Sequence, residues 1–210
     1  MRSLFKKTVI ILSLFSMLFA VNTNKTEYRV EGSLRVSLFK NVKFYLIPEL
    51  RFNNNGLDES LTEAELKYSP LKNLDLGLSY RLTMDHKSNK PTEYIHRYSV
   101  FSAFEHEIGR FLPSLKIMFS NYNGDNNLLN LLRYKANLEY DIPKLKVDPF
   151  LSAELFHQLE NSTIYKIRYG LGADWRFIKD QSIGLSYKLD NYLNENKIKH
   201  IITLDYSYKF

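Results

Sequence analysis

The 210-residue chain has no cysteine. That excludes disulfides, thiolate metal sites and cysteine nucleophiles, so stability has to come from backbone pairing and packing. Proline and glycine are scarce, at 6 and 8 residues. No apolar run reaches the ~20 residues that a bilayer-spanning helix needs. Charge of one sign is not in large excess: 29 Lys and Arg face 23 Asp and Glu, a formal net charge of +6. The basic residues are dispersed among the acidic ones, which argues against a nucleic-acid partner. Tryptophan occurs once, whereas tyrosine (15) and phenylalanine (14) are abundant.

The N-terminus reads as an export signal. Arg2, Lys6 and Lys7 precede an apolar stretch from Thr8 to Phe19, and Ala20 offers a small residue for cleavage. The stretch is too short for a transmembrane helix, and no cysteine follows it for lipid attachment. Residues 1–20 are therefore expected to be a signal peptide and 21–210 a single domain. Without the three basic residues of the leader, the formal charge falls from +6 to +3.

Beyond residue 26 the chain repeats one pattern, segments of alternating polarity separated by turn residues. In the last, Ile202, Leu204, Tyr206, Tyr208 and Phe210 alternate with Thr203, Asp205, Ser207 and Lys209. In another, Tyr165, Ile167, Tyr169, Leu171, Ala173, Trp175 and Phe177 alternate with Lys166, Arg168, Gly170, Gly172, Asp174 and Arg176. Period-2 alternation places the two sets on opposite faces of a strand. The pattern predicts strands at 27–38, 42–52, 61–69, 74–84, 94–106, 111–122, 128–140, 147–158, 164–177, 182–192 and 198–210. Segment 94–106 is mixed in phase, and Pro113 interrupts 111–122.

Alternation alone does not say which phase points inward. A soluble barrel hides its apolar phase, and a membrane barrel turns it to lipid. Three features favour lipid. Aromatics stand near strand ends (Phe52, Tyr68, Tyr80, Tyr140, Trp175, Phe177, Tyr206, Tyr208), as interfacial girdles require. The polar phase carries both signs of charge, which suits a lumen of paired Arg, Lys, Asp and Glu. Gly77, Gly170, Gly172 and Gly184 share that polar phase, where a missing side chain lets a small barrel curve. Shorter connections are predicted to alternate with more polar ones (53–60, 85–93, 123–127, 160–163 and 193–197). Eleven segments conflict with the even strand number of bacterial single-chain barrels. Either one segment is wrong, leaving ten or twelve strands, or residues 21–27 pass through the lumen to start the first strand on the far side.

The chain's last strand, ending on Phe210, resembles the C-terminal assembly signal of bacterial outer-membrane barrels. The resemblance implies insertion by the barrel-assembly machinery. Further motifs are Leu132-Arg133-Tyr134-Lys135-Ala136-Asn137-Leu138-Glu139-Tyr140-Asp141-Ile142-Pro143-Lys144, then Pro149 to Phe156, Ser182 to Leu189, and Tyr206 to Phe210. Together these resemble domain of unknown function family 2490, small exported proteins believed to be outer-membrane barrels. The resemblance spans roughly residues 27–210. It implies a fold and a location, and it carries no activity and no catalytic residues.

Candidates for chemistry are few. The five histidines are His86, His96, His106, His157 and His200. Glu105, His106 and Glu107 are adjacent, and adjacent strand residues point to opposite faces, so they do not converge on a metal. His157 and His200 fall in the outward phase with Ser162 in a neighbouring loop, the ingredients of a Ser–His acyl hydrolase acting on lipid, but without a third group. Asp58-Glu59 and Asn123-Gly124-Asp125-Asn126 read as solvated turns rather than cation sites. Asn161-Ser162-Thr163 matches a glycosylation sequon and is uninformative in a bacterial setting. The inward charges (Arg29, Glu31 and Arg35; Arg133, Lys135 and Glu139; Lys166, Arg168, Asp174 and Arg176) either line a selective pore or pair off and fill a closed lumen.

The expectation is thus all-β: an antiparallel up-and-down transmembrane β-barrel of about 10–12 strands, closing on the strand that ends at Phe210. It is expected in the outer membrane, with membrane lipid as its surroundings. No catalytic, cofactor or metal residues are expected. The role is a structural or interaction barrel, with a narrow passive channel, a lipid acyl hydrolase or a soluble ligand-binding barrel as alternatives.

Overall fold

The computed structural model describes residues 24–86, 91–124, 127–195 and 197–210. The expected signal peptide at 1–20 lies outside the described residues, as do Asp125 and Asn126 of the turn considered for a cation. Eleven strands follow one another in chain order: β1 (Asn24–Phe39), β2 (Val42–Asn53), β3 (Gly56–Leu71), β4 (Leu74–Asp85), β5 (Glu93–Glu105), β6 (Phe111–Gly124), β7 (Asn127–Tyr140), β8 (Val147–Gln158), β9 (Thr163–Ile178), β10 (Gln181–Tyr192) and β11 (Lys197–Lys209). Each pairs with its sequence neighbours, and β1 pairs with β11 to close the barrel.

All eleven expected segments are strands, and the odd number is accommodated at the seam. Ten neighbouring pairs are antiparallel, whereas β1 and β11 run parallel, in register from Asn24 opposite Ile198 to Arg35 opposite Lys209. A purely antiparallel ring cannot close with an odd number of strands, so the antiparallel expectation is corrected at this one pair. Both β1 and β11 start at the rim called upper here. There β2 joins β3, β4 joins β5, β6 joins β7, β8 joins β9 and β10 joins β11; the lower rim holds 40–41, 72–73, 106–110, 141–146 and 179–180.

Connection length does not separate the two rims, contrary to expectation. The largest discrepancy is at 53–60. There β3 begins at Gly56, five residues early, and Asn54-Asn55 makes a two-residue turn. Gly56 has φ of 112°, where a side chain would be strained, and the Asn53 side chain accepts the Asn55 N–H at 2.7 Å. The polar run expected as a loop is a hairpin with turn chemistry at its tip. Pro113 is tolerated because it stands at the end of the ladder between β5 and β6, where its carbonyl still accepts the His106 N–H at 3.1 Å.

The barrel is inverted relative to a soluble one. Its outward residues are apolar: Leu78 is 58% exposed, Leu185 60% and Val100 49%. Its buried residues are largely charged or hydroxylic, among them Glu27, Glu49, Glu63, Arg97, Glu154, Lys166 and Asp190. This is the reverse of a ligand-binding barrel with an apolar interior. Aromatic side chains stand near both ends. Phe111–Tyr140, Trp175–Phe177 and Tyr208–Phe210 pack at ring distances of 5.0, 5.7 and 4.5 Å near the lower rim. Near the upper rim Tyr28 and Tyr94 are 48% and 56% exposed, while Tyr80–Tyr98 and Tyr187–His200 pack at 5.1 and 6.0 Å at mid-wall.

The inward glycines have a specific reason. A Cβ on Gly77 would strike the Phe101 ring at 2.1 Å, and one on Gly184 would meet the Asp205 and Asp174 carboxylates at 2.2 and 2.3 Å. Their absent side chains are space that neighbouring inward groups occupy.

Candidate functional site

The inward face of the wall forms two hollows that share Lys135. The upper has a cavity volume of about 410 Å³ and the lower about 330 Å³. Either is large enough for several waters, at roughly 30 Å³ each.

Three ion-pair networks line the upper chamber. The first crosses four strands: Lys199 bonds Glu27, Arg29 Nε bonds Glu27 at 2.6 Å and reaches Glu49 at 3.3 Å, and Arg51 holds Glu49 at 2.6 Å and Glu59 at 2.5 Å. In the second, Glu63 accepts from Arg81 Nε at 2.6 Å and from Arg97 at 2.7 Å; Arg97 also donates to the Tyr122 hydroxyl at 2.9 Å. In the third, Glu154 bonds Arg133 and lies 3.5 Å from Arg168. Arg168 then grips Asp190 at 2.5 and 2.8 Å, and Lys166 donates to Asp190 at 3.1 Å. Phe156 projects among the cations of this network, with Lys166 3.9 Å and Arg133 4.9 Å from its ring centre.

Nearly every one of these bonds joins side chains on the same or adjacent strands, so the networks run along the wall. Two skip strands: Arg97 on β5 reaches Glu63 on β3, and Lys116 on β6 reaches Glu65 on β3 at 3.6 Å. Paired charges cost less to bury than lone ones, and these pairs run mainly along the wall rather than across the lumen.

The lower chamber is built otherwise. Glu65, Asp75, Glu105, Glu139 and Asp174 line it with only three lysines, Lys67, Lys116 and Lys135. Lys67 pairs with Asp75 at 2.9 Å. The Phe101 ring lies over Gly77, and the Lys116 ammonium stands 3.6 Å from that ring's centre. Asp174 and Asp205 both face the space above Gly184.

Most of the inward charges expected from the alternation line the lumen, but Arg176 lies half-exposed at the lower rim on Asp141 and Asp148, and there is one slip of phase. Tyr165, expected outward, lines the upper chamber beside Lys166. A bulge between Phe156 opposite Lys166 and His157 opposite Ile164 turns it inward and leaves Ile164 outside.

Among the described residues no hydrogen bond joins Ser162 to His157. Ser162 stands in the 159–162 turn with φ of 51°, its N–H on the Leu159 carbonyl at 3.4 Å. His200 on β11 shares a 2.6 Å hydrogen bond with the Tyr187 hydroxyl, and His157 is on β8. A serine–histidine bond does occur elsewhere, between Ser60 Oγ and His86 Nε2 at 2.9 Å, and His96 meets the Tyr80 hydroxyl at 2.8 Å. Sequence offered no signal for either, because they lie 26 and 16 residues apart and meet only through strand register. His106 bonds the Asn73 side chain at 2.8 Å. Among the described residues no three His, Asp or Glu side chains are grouped to hold a metal ion. Asp58 and Glu59 diverge, Glu59 being committed to Arg51. In the 159–162 turn, Glu160 accepts the Asn130 N–H at 2.5 Å, which holds its carboxyl below the ordinary value.

A family model described as "Protein of unknown function (DUF2490)" matches residues 26–199. The chain belongs to this family. The match covers every strand in whole or in part, so membership of DUF2490 is a statement about the entire barrel. Among solved structures, a loop L8 deletion mutant of OmpT, an outer membrane protein of Vibrio cholerae, is similar at 11% sequence identity and a TM-score of 0.42. The likeness covers 74% of this chain and 58% of that one, so the chain spans less than two thirds of that structure. No curated protein matches.

Proposed function

We propose that this DUF2490 protein is an outer-membrane β-barrel whose lumen is a narrow, hydrated path for small solutes. The observation that carries the membrane assignment is the inverted wall, with leucine, valine, isoleucine and aromatics outward and paired charges inward. In water that outer face would be a continuous apolar surface far larger than the few hundred Å² a soluble monomer tolerates. In a bilayer it is the favoured arrangement, and the exposed aromatics near the two rims, Tyr28 and Tyr94 above and Trp175 and Phe210 below, fit the two headgroup levels. On this reading the surroundings are outer-membrane lipid, and the chain reaches them by export and assisted insertion.

The channel reading is favoured over a filled structural barrel by the direction of the ion pairs. A lumen packed shut would be bridged across its axis, whereas here the networks follow the wall and leave two chambers that meet at Lys135. The reading gives the chain no covalent chemistry. Expression in a Gram-negative host should yield an outer-membrane protein whose unboiled form migrates faster than the boiled one. The purified barrel should then conduct ions in planar bilayers in small, uniform steps. Recovery from the soluble periplasm would overturn the membrane assignment. A correctly inserted barrel without conductance would favour the filled, structural role.

A further inference from the structure

The upper chamber is lined by ten cationic side chains and five carboxylates, Glu31, Glu49, Glu59, Glu154 and Asp190. Glu27 and Glu63, bonded to cations of the same lining, bring the acids to seven, so cations remain in excess. The excess has a place. Glu27, Glu49, Glu63, Glu154 and Asp190 each already hold two cations. Lys135 on β7 and Lys188 on β10 take part in no ion pair among the described residues. The cations Arg29, Arg168 and Lys135 surround Lys188, with Glu31 and Asp205 as its acidic neighbours, neither within ion-pair distance among the described residues.

Glu154 stands opposite Lys135 but is held by Arg133 and Arg168, and at the level of Lys188 the wall is small and polar. Ser152 on β8 stands opposite Gly170 on β9, which in turn stands opposite Lys188. The Ser152 hydroxyl and the Lys188 stem both lie over Gly170, where a Cβ would meet Ser152 Oγ at 2.5 Å and Lys188 Cγ at 3.5 Å. The glycine thus leaves room beside an ammonium and a hydroxyl, with a second ammonium, Lys135, on the same chamber.

We propose that Lys135, Lys188 and Ser152 form a binding site for small oxyanions, those bearing a phosphate group, in the upper half of the lumen. The inference rests on the reading of the lumen as hydrated, but not on its conducting. Two ammonium groups and a hydroxyl supply charge-assisted donors, which bind an anionic oxygen about twice as strongly as neutral ones do. Their lack of carboxylate partners means an arriving anion displaces water and no internal salt bridge. The surrounding guanidiniums, fixed by their own pairs, add a positive field that a narrow low-dielectric lumen concentrates.

The test uses the full barrel refolded in detergent, with inorganic phosphate as the probe in titration calorimetry. Phosphate should bind the native barrel, and the double variant Lys135→Gln with Lys188→Gln should bind it about tenfold or more weakly. Ser152→Ala should weaken it by a smaller factor. Both variants should keep heat-modifiable migration, which reports the closed barrel. Native barrel that takes up no phosphate, or a double variant that binds it as well as native, overturns the site. Bilayer conductance decides the channel reading separately. A barrel that binds phosphate without conducting keeps the site and removes the channel. A barrel that conducts without binding does the reverse.

Discussion

The two halves of the lumen are walled by the same alternation and handle charge in opposite ways. Above Lys135 the wall uses arginine, and one carboxylate is shared by two cations in each of five places. Below it the wall uses lysine, and Glu105, Glu139 and Asp174 line the cavity without a salt bridge among the described residues. The guanidinium plane offers several fixed donors and can bond two carboxylates at once, which a single ammonium on a flexible stem does less well. The upper half is therefore a rigid lattice with a cation surplus, and the lower half is a looser, acidic space. A barrel can set its interior electrostatics by residue choice at inward positions alone, without altering strand order.

The largest expected effect that tests this contrast is at Glu63. Removing it by Glu63→Ala leaves Arg81 and Arg97 buried without their shared partner, and should destabilise the folded barrel by about 3–5 kcal/mol in urea unfolding from vesicles. The matched change below, Glu139→Ala, should cost less than about 1 kcal/mol, since no bond of this carboxylate is broken. Equal losses at the two sites would erase the distinction between lattice and loose space.

Next is a backbone constraint that belongs to neither half's charges. A Cβ on Gly172 would come within 2.7 Å of the Leu185 carbonyl oxygen, a backbone atom that cannot swing aside. Gly172→Ala should cost about 1–3 kcal/mol in the same unfolding experiment. Gly184→Ala should cost less, because the atoms it meets are the mobile ends of Asp174 and Asp205.

The smallest effect sharpens the comparison from the lower side. Asp174→Asn with Asp205→Asn removes two facing like charges, and unfolding should show a gain of a few tenths to about 1 kcal/mol. A clear loss would mean that these carboxylates are bonded partners and not a strained pair.

How much of this could be read from sequence depended on whether the signal was local. The alternation of Tyr165 to Phe177 and of Ile202 to Phe210 is a local property. It located all eleven strands, most of them to within three residues, and separated inward from outward residues. Register is not local. The parallel seam, the Ser60–His86 and Tyr187–His200 contacts and the sharing of Glu63 by Arg81 and Arg97 all depend on which residue stands opposite which. The bulge that turns Tyr165 inward is one extra residue in one strand, and alternation counted from one end cannot see it. The excess of unpaired lysine was hidden for the same reason: Lys135 and Lys188 look like every other inward charge until their neighbours are known.

The central claim, apolar wall to lipid and charged wall to water, is most directly tested by spin labelling in vesicles, which the absence of native cysteine makes simple. Single cysteines along β4, at Leu76, Leu78 and Leu82 on one face and at Ser79 and Thr83 on the other, would carry the labels. The first three should be accessible to oxygen dissolved in the bilayer, and the last two should be shielded from it, giving a period of two residues. Loss of that period, or oxygen access at Ser79 and Thr83 with Leu78 shielded, would contradict the inverted barrel.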